Sequence, residues 1–381
     1  MRFNAGIADT GLLFAATALL PIYAFGSGGV QPAHALFAIF ALTVSAKYGI
    51  ANKPWIFLVL CLFTYAFFRE GAYILGGGNP KYLINVAYLG FNFLLVSSVY
   101  QYVLRNGLAT ISSGLILSVL IVVATILTQG INLTAGGEGA VRSVGTFNNP
   151  NQLGYFSVCL LSLTYLCYLT SSINYRTALI GFCISIALSI ISLSKAAIIA
   201  NFLLLIVVLI PRNVSFSHIV LWGGVVISCG YILLQAFLSG AMDDLIVLDR
   251  LMNMGGESDS SLKSRGYFAV LGESEAEVIF GLGSEKIIGI VGHEVHSTFG
   301  SIFNVYGIIG ILLSLAVFTL WSFSIWRAFG LTALVCLIGP AMLYGITHNG
   351  IRFSIFWILL ASSAAMAARK GPQRKHEISQ N

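Results

Sequence analysis

The chain has 381 residues, of which 57% are hydrophobic and only 9% charged, with a mean hydropathy of +0.89. A soluble globular protein carries about 25% charged residues, so this composition excludes soluble enzyme folds and marks an integral membrane protein. The formal net charge of +6 does not point to nucleic acid, because the basic residues are scattered singly between apolar runs.

A bilayer core takes about 20 apolar residues per helix. With that ruler the sequence reads as all-α: a polytopic bundle of about twelve transmembrane helices. The expected spans run 8–26, 34–50, 54–69, 82–104, 109–128, 151–171, 177–193, 196–211, 217–239, 298–326, 330–347 and 350–368. The first follows a single basic residue, Arg2, and has no convincing small-residue cleavage site, so it reads as a retained helix rather than a signal peptide. All six cysteines (Cys61, Cys159, Cys167, Cys183, Cys229 and Cys336) lie in apolar runs, as packing residues do and disulfides or zinc ligands do not. No internal repeat is visible, and residues 1–381 read as one transmembrane domain.

Twelve spans place both termini on one side. The basic tail at 369–381, with Arg369, Lys370, Arg374 and Lys375, assigns that side to the cytoplasm. On this threading eleven of the twenty basic residues fall in cytoplasmic segments and five in short external loops: Arg69, Lys81, Arg142, Lys195 and Arg352. The acids are more lopsided, with only Asp9 and Glu377 inside, so chemistry is expected outside.

One long external loop, 240–297, carries ten of the fourteen acids and is the only extramembrane segment large enough to build a site. Within it, Ser260 to Leu271 reads as a capped, partly amphipathic helix with Leu262, Phe268, Val270 and Leu271 toward the membrane. Glu273, Glu275 and Glu277 read as a solvated face. Asp243 and Asp244 lack the spaced pattern that holds a divalent ion, and Gly76 to Gly78 with Lys81 lack the spacing of a phosphate loop. No metal and no cofactor are expected.

Basic and hydrogen-bonding residues recur on the outer side, where the positive-inside tendency disfavours them. Arg142 precedes Gly145-Thr146-Phe147-Asn148-Asn149-Pro150-Asn151, Lys195 follows Ser192-Leu193-Ser194, Arg265 lies on the expected loop helix, and His348 and Arg352 open the last span. Ionisable groups at membrane depth are expensive and face internal cavities. A polyanionic ligand explains them together, although a lone Arg or Lys also serves as a snorkelling anchor and an Asn as a helix cap. At the end of the loop, His296 and Ser297 are followed by nine residues, Gly307, two residues and Gly310. A histidine there sits where head groups meet water and is suited to proton transfer near neutral pH; His293 reads as a bystander or a supporting residue.

The His296-Ser297 to Gly307 and Gly310 arrangement resembles that of the O-antigen ligase and O-antigen polymerase superfamily of bacterial inner-membrane glycosyltransferases. The 145–151 segment is similar to the family's Phe-x-Asn-Pro-Asn. Ser194-Lys195 falls where the family has Ser-Arg, and Arg265, ahead of Gly281-Leu282-Gly283, resembles the Arg that opens its loop helix. The resemblance covers roughly 140–365.

It implies periplasmic, metal-independent transfer of a glycan from an undecaprenyl-pyrophosphate-linked saccharide, with the 240–297 loop periplasmic. The acceptor is a lipid-linked repeat unit in a polymerase or lipid A core in a ligase, and a chain-length regulator is a further partner. The His-Ser-Thr-Phe entry at 296–299, the 306–310 run and Ala269 in place of a ligase-like leucine favour the polymerase. The resemblance implies His296 and Arg265 as catalytic residues. Lys195, Arg142, Arg352, Asn148, Asn151 and His348 are expected to bind pyrophosphate or glycan. A secondary transporter is the reading from another class, but it predicts internal repeats and broken midplane helices.

Overall fold

A computed structural model describes residues 6–26, 29–129, 145–209 and 266–378, apart from the side chains of 206, 208, 209 and 371–378. Among the described residues the chain is helical without strands. Its helices are α1 (Ile7–Ala18), α2 (Pro32–Tyr48), α3 (Pro54–Leu75), α4 (Leu83–Asn106), α5 (Ala109–Gln129), α6 (Pro150–Leu169), α7 (Tyr175–Ile191) and α8 (Lys195–Leu209). After the undescribed stretch come α9 (Glu275–Phe280), α10 (Ser284–Val291), α11 (Thr298–Phe329), α12 (Leu331–Thr347) and α13 (Ser354–Ile378). Among the described residues five helical segments, 54–75, 80–106, 109–129, 150–169 and 298–329, are long and apolar enough to cross a membrane. The expected span at 217–239 lies outside the described residues.

Helix boundaries follow local chemistry. α1 stops at Ala18 rather than at 26, because Pro21 cannot continue a helix and disfavours helical backbone in the residue before it. Its last carbonyls, on Thr17 and Ala18, accept the Ser118 hydroxyl of α5. α3 runs six residues beyond its expected end at 69, since Arg69 and Glu70 find partners in the long loop instead of ending the helix. α12 contains Pro340, which lacks the N–H that would bond the Cys336 carbonyl; Ser162 of α6 donates its hydroxyl to that carbonyl at 3.0 Å.

The helices pack as neighbours α1 with α2 and α5, α4 with α2, α3 and α13, and α6 with α7, α8, α12 and α13. α6 and the described part of α13 are buried nearly all round, whereas the outer faces of other helices expose Phe57, Phe67, Leu120, Leu127, Leu312 and Leu315. An apolar girdle of that kind needs a lipid solvent.

The two ends of the bundle differ. At one, buried Asp9 pairs with Lys47 at 2.7 Å, Arg105 lies over the Tyr48 ring, Arg369 donates to the Val103 carbonyl and Lys370 lies over Phe329. These contacts gather the C-terminal ends of α2, α4 and α11. The opposite end gathers the N-terminal ends of α2, α4, α6, α11 and α13, and there the loop approaching α11 folds against the bundle.

Candidate functional site

The loop is held by a break in α11. At Gly307 the backbone has φ 64° and ψ −162°, a conformation that L side chains avoid. A Cβ built there would collide with the Ile279 carbonyl oxygen, and one built on Gly281 with that of Val305, so the two backbones touch. The break releases helical carbonyls, and the loop uses them: Leu282 N donates to Asn304 O at 2.8 Å and Gly283 N to Val305 O at 3.1 Å. Buried Asn304 adds its side chain, donating to the carbonyls of Gly266 and Tyr267 and accepting from Val270 N at 2.8 Å. From α3, Arg69 Nε donates to the Gly281 carbonyl at 3.0 Å, and Glu70 Oε1 accepts from Ser284 N at 2.9 Å.

This clamp corrects part of the loop reading. The described portion of the expected 260–271 helix is a turn followed by a short 3₁₀ helix at Ala269–Gly272, with Phe268 and Leu271 exposed but Val270 fully buried. Glu273 and Glu277 do not form a merely solvated face, because both pair with Lys286. The Lys286 hydrogen bond, aided by the Ser274 hydroxyl, holds the Glu277 carboxyl below the ordinary glutamate range.

Beyond the clamp the chain reaches His296 and then Ser297, which caps α11 by accepting from Gly300 N at 3.1 Å and donates to the Gly345 carbonyl of α12. This fixes His296 at the mouth of a cavity of about 360 Å³, within the usual range of ligand sites, about 300–1,000 Å³. α6 contributes Asn149, Asn151 and Gln152, and the α12–α13 turn contributes His348, Asn349 and Arg352. An adjoining cavity of about 50 Å³ shares Tyr88, Glu294, Asn349 and Arg352 and extends to Asn85, Ser284 and Tyr306.

The cavity brings together His296, His348, Asn151 and Arg352 among the residues expected from sequence. Arg352 Nη2 pairs with Glu294 Oε1 at 3.1 Å, so the guanidinium meets a carboxylate at the cavity wall. His348 stacks on Tyr344, ring centroids 4.6 Å apart, and its Nδ1 meets the Thr347 hydroxyl at 2.9 Å. His293 is more than a bystander: its ring lies parallel to that of His296 at 4.7 Å, and its Nδ1 contacts the Glu294 carbonyl.

Two expected residues do not line it. Asn148 donates its amide to the Phe25 carbonyl at 2.7 Å, a structural tie, while Asn149 beside it caps α6 by accepting from Gln152 N. Lys195 opens α8 at the same end of the bundle, after a turn in which Leu193 takes φ 52°; a Cβ on Gly154 of α6 lies 2.9 Å from Ser194, so this turn abuts the first turns of α6. Arg142 and Arg265 lie outside the described residues. Among the described residues, no three His, Cys, Asp or Glu side chains cluster as a metal ion requires.

Sequence reasoning missed the cavity's other wall. Tyr23, His34 and Tyr88 belong to the N-terminal third, where the resemblance offered only hydropathy. Glu294, two residues before His296, went unremarked among ten loop acids; its proximity to the histidine was the available signal. Neither family models nor curated proteins match the chain.

Proposed function

We propose that the protein is a periplasm-facing glycosyltransferase of a bacterial inner membrane that moves a glycan from a polyprenyl pyrophosphate to an acceptor hydroxyl. The observation that carries this reading is the cavity in which His296 and Arg352 meet. It lies at the bundle end opposite the Lys47, Arg105 and Arg369 cluster, and the positive-inside tendency makes that opposite end external. The twelve-span threading with both termini cytoplasmic belongs to the same proposal.

The chemistry needs two services. As the acceptor oxygen bonds to the anomeric carbon, its proton passes to His296; as the anomeric carbon–oxygen bond breaks, its electron pair leaves on the pyrophosphate. Arg352 stabilises that growing charge through charge-assisted hydrogen bonds, with Lys195, Arg265 and Arg142 as the further cations the sequence offers. The products are the extended glycan and a lipid pyrophosphate, and the proton on His296 passes to water. Pyrophosphate already activates the donor, so the balance requires neither nucleotide nor metal.

Among transferases of this chemistry we favour the polymerase of O-antigen or another surface polysaccharide, with a lipid-linked repeat unit as acceptor. Deleting the gene and resolving surface polysaccharide on a gel tests it. A single repeat on lipid A core is the expected result. Full-length chains stranded on undecaprenyl pyrophosphate would make the protein a ligase, and unchanged surface polysaccharide would overturn the transferase reading.

A further inference from the structure

His34 sits in the first turn of α2, where its ring completes a reciprocal cap: Gln31 N donates to His34 Nδ1 at 3.1 Å. A backbone N–H can only donate, so Nδ1 must present a lone pair and the neutral ring must carry its proton on Nε2. The rings of Tyr88 and Phe91 stand edge-on to it, each with its centroid 5.6 Å away, and limit its rotation. The segment leading to it is also held: the Gln31 amide bonds Phe25 and Gly29, the Tyr88 hydroxyl donates to the Gly29 carbonyl at 3.0 Å, and Tyr23 N donates to the Thr146 carbonyl. His34 lines the same cavity as His296, and its Nε2 has no protein partner among the described residues.

The cap uses only Nδ1, and any N3 side chain with an acceptor within reach of the Gln31 N–H, usually Glu or Gln, suffices for it. The imidazole adds an Nε2–H on a ring that lines the cavity. The same cavity is lined by the phenolic ring of Tyr88 and the amides of Asn149, Gln152 and Asn349. Aromatic faces with uncharged hydrogen-bonding groups suit a saccharide, whose hydroxyls need both donors and acceptors, whereas pyrophosphate calls for a cation such as Arg352.

We propose that His34 is a substrate-contacting residue whose Nε2–H donates to a sugar oxygen, and that the wall formed by Tyr23, His34 and Tyr88 is a saccharide subsite. This rests on the transferase reading. With its Nδ1 engaged, His34 cannot take the acceptor proton through Nε2, which already bears one, so its role is recognition and complements that of His296.

Two substitutions separate the ring's two nitrogens. His34→Asn keeps an acceptor near the position of Nδ1 and so keeps the cap, but removes the distal donor; His34→Gln, the residue type a capping box takes at this position, keeps an acceptor for the Gln31 N–H and carries an amide N–H as well. Full-length variants are expressed in a deletion strain of the native host. The initial rate of glycan transfer is measured in membrane vesicles with the host's own lipid-linked saccharide, alongside protein level and melting temperature in detergent. His34→Asn is expected to keep wild-type level and melting temperature and to lose about threefold to tenfold in rate, the effect of one hydrogen bond, while His34→Gln keeps most of the rate at an unchanged melting temperature. Wild-type rate in His34→Asn overturns the subsite. His296→Ala runs in parallel: if it transfers at the wild-type rate the transferase mechanism fails, whereas a dead His296→Ala beside a fully active His34→Asn removes only the subsite.

Discussion

At the scale of single residues, His296 is the group whose removal is expected to cost most. Proton transfer by a positioned side chain is worth about a hundredfold to ten-thousandfold, so His296→Ala should abolish long chains at normal protein level, as read from a gel of surface polysaccharide beside an immunoblot. His293→Ala should lose less than about tenfold, because it removes a stacked neighbour at 4.7 Å and leaves the acting ring in place. Equal loss in both would indicate a damaged loop. Arg352→Lys keeps the charge but not the planar fork that pairs with Glu294 or with phosphate oxygens; a markedly reduced transfer rate at normal protein level is the expected outcome. His296, His348, Asn151 and Arg352 were legible in the sequence because each is a polar residue at the mouth of an apolar run. His34 was not, since its position three residues after Gln31 encodes a cap and a cavity contact with the same letter, and only the fold brings α2 beside α11's entry.

At the scale of elements, the carbonyl left bare by Pro340 gives a direct test of how the bundle satisfies its backbone. Ser162→Ala should destabilise the protein by about 0.5–1.5 kcal/mol, measured as a lower melting temperature in detergent. In a Pro340→Ala background the backbone regains an N–H that can bond the Cys336 carbonyl, and the cost of removing the serine hydroxyl should largely vanish. Gly307→Ala is a harsher change, because the left-handed backbone alone costs a non-glycine residue about 1–3 kcal/mol and its methyl would meet the Ile279 carbonyl. Loss of the folded protein, rather than of rate alone, is expected. In α9 the depressed Glu277 carboxyl contributes stability above the ordinary glutamate pKa, and that contribution is lost as the pH falls through the folded value. The pair is about a third exposed to solvent, so amide exchange across 273–286 should rise only modestly at low pH, and less in high salt, where the attraction is already screened. Among the described residues helices stand where hydropathy placed them, but it read helix ends as the ends of apolar runs. Pro21 cut α1 short by local sterics, and the loop partners of Arg69 and Glu70 let α3 continue past its charges.

At the scale of the whole molecule, the separation of a basic end from a cavity end is a statement about topology that fusions can check. Alkaline phosphatase should be active when inserted near Gly256 and inactive at the C-terminus; the reverse pattern would invert the threading and place the cavity in the cytoplasm. The break at Gly307 bears on how such a molecule lives in its membrane. A continuous helix behaves as a stiff shaft that transmits tilt and twist along its length, and bilayers of different thickness tilt their helices to fit. Here the shaft is jointed: the turns above Gly307 are bound to the Gly266–Ser284 segment and, through Ser297, to the Gly345 carbonyl of α12, and the helix as a whole packs on α3, α12 and α13. A break of this kind leaves the tilt of the turns below it only loosely tied to that of the turns above it, where His296 enters.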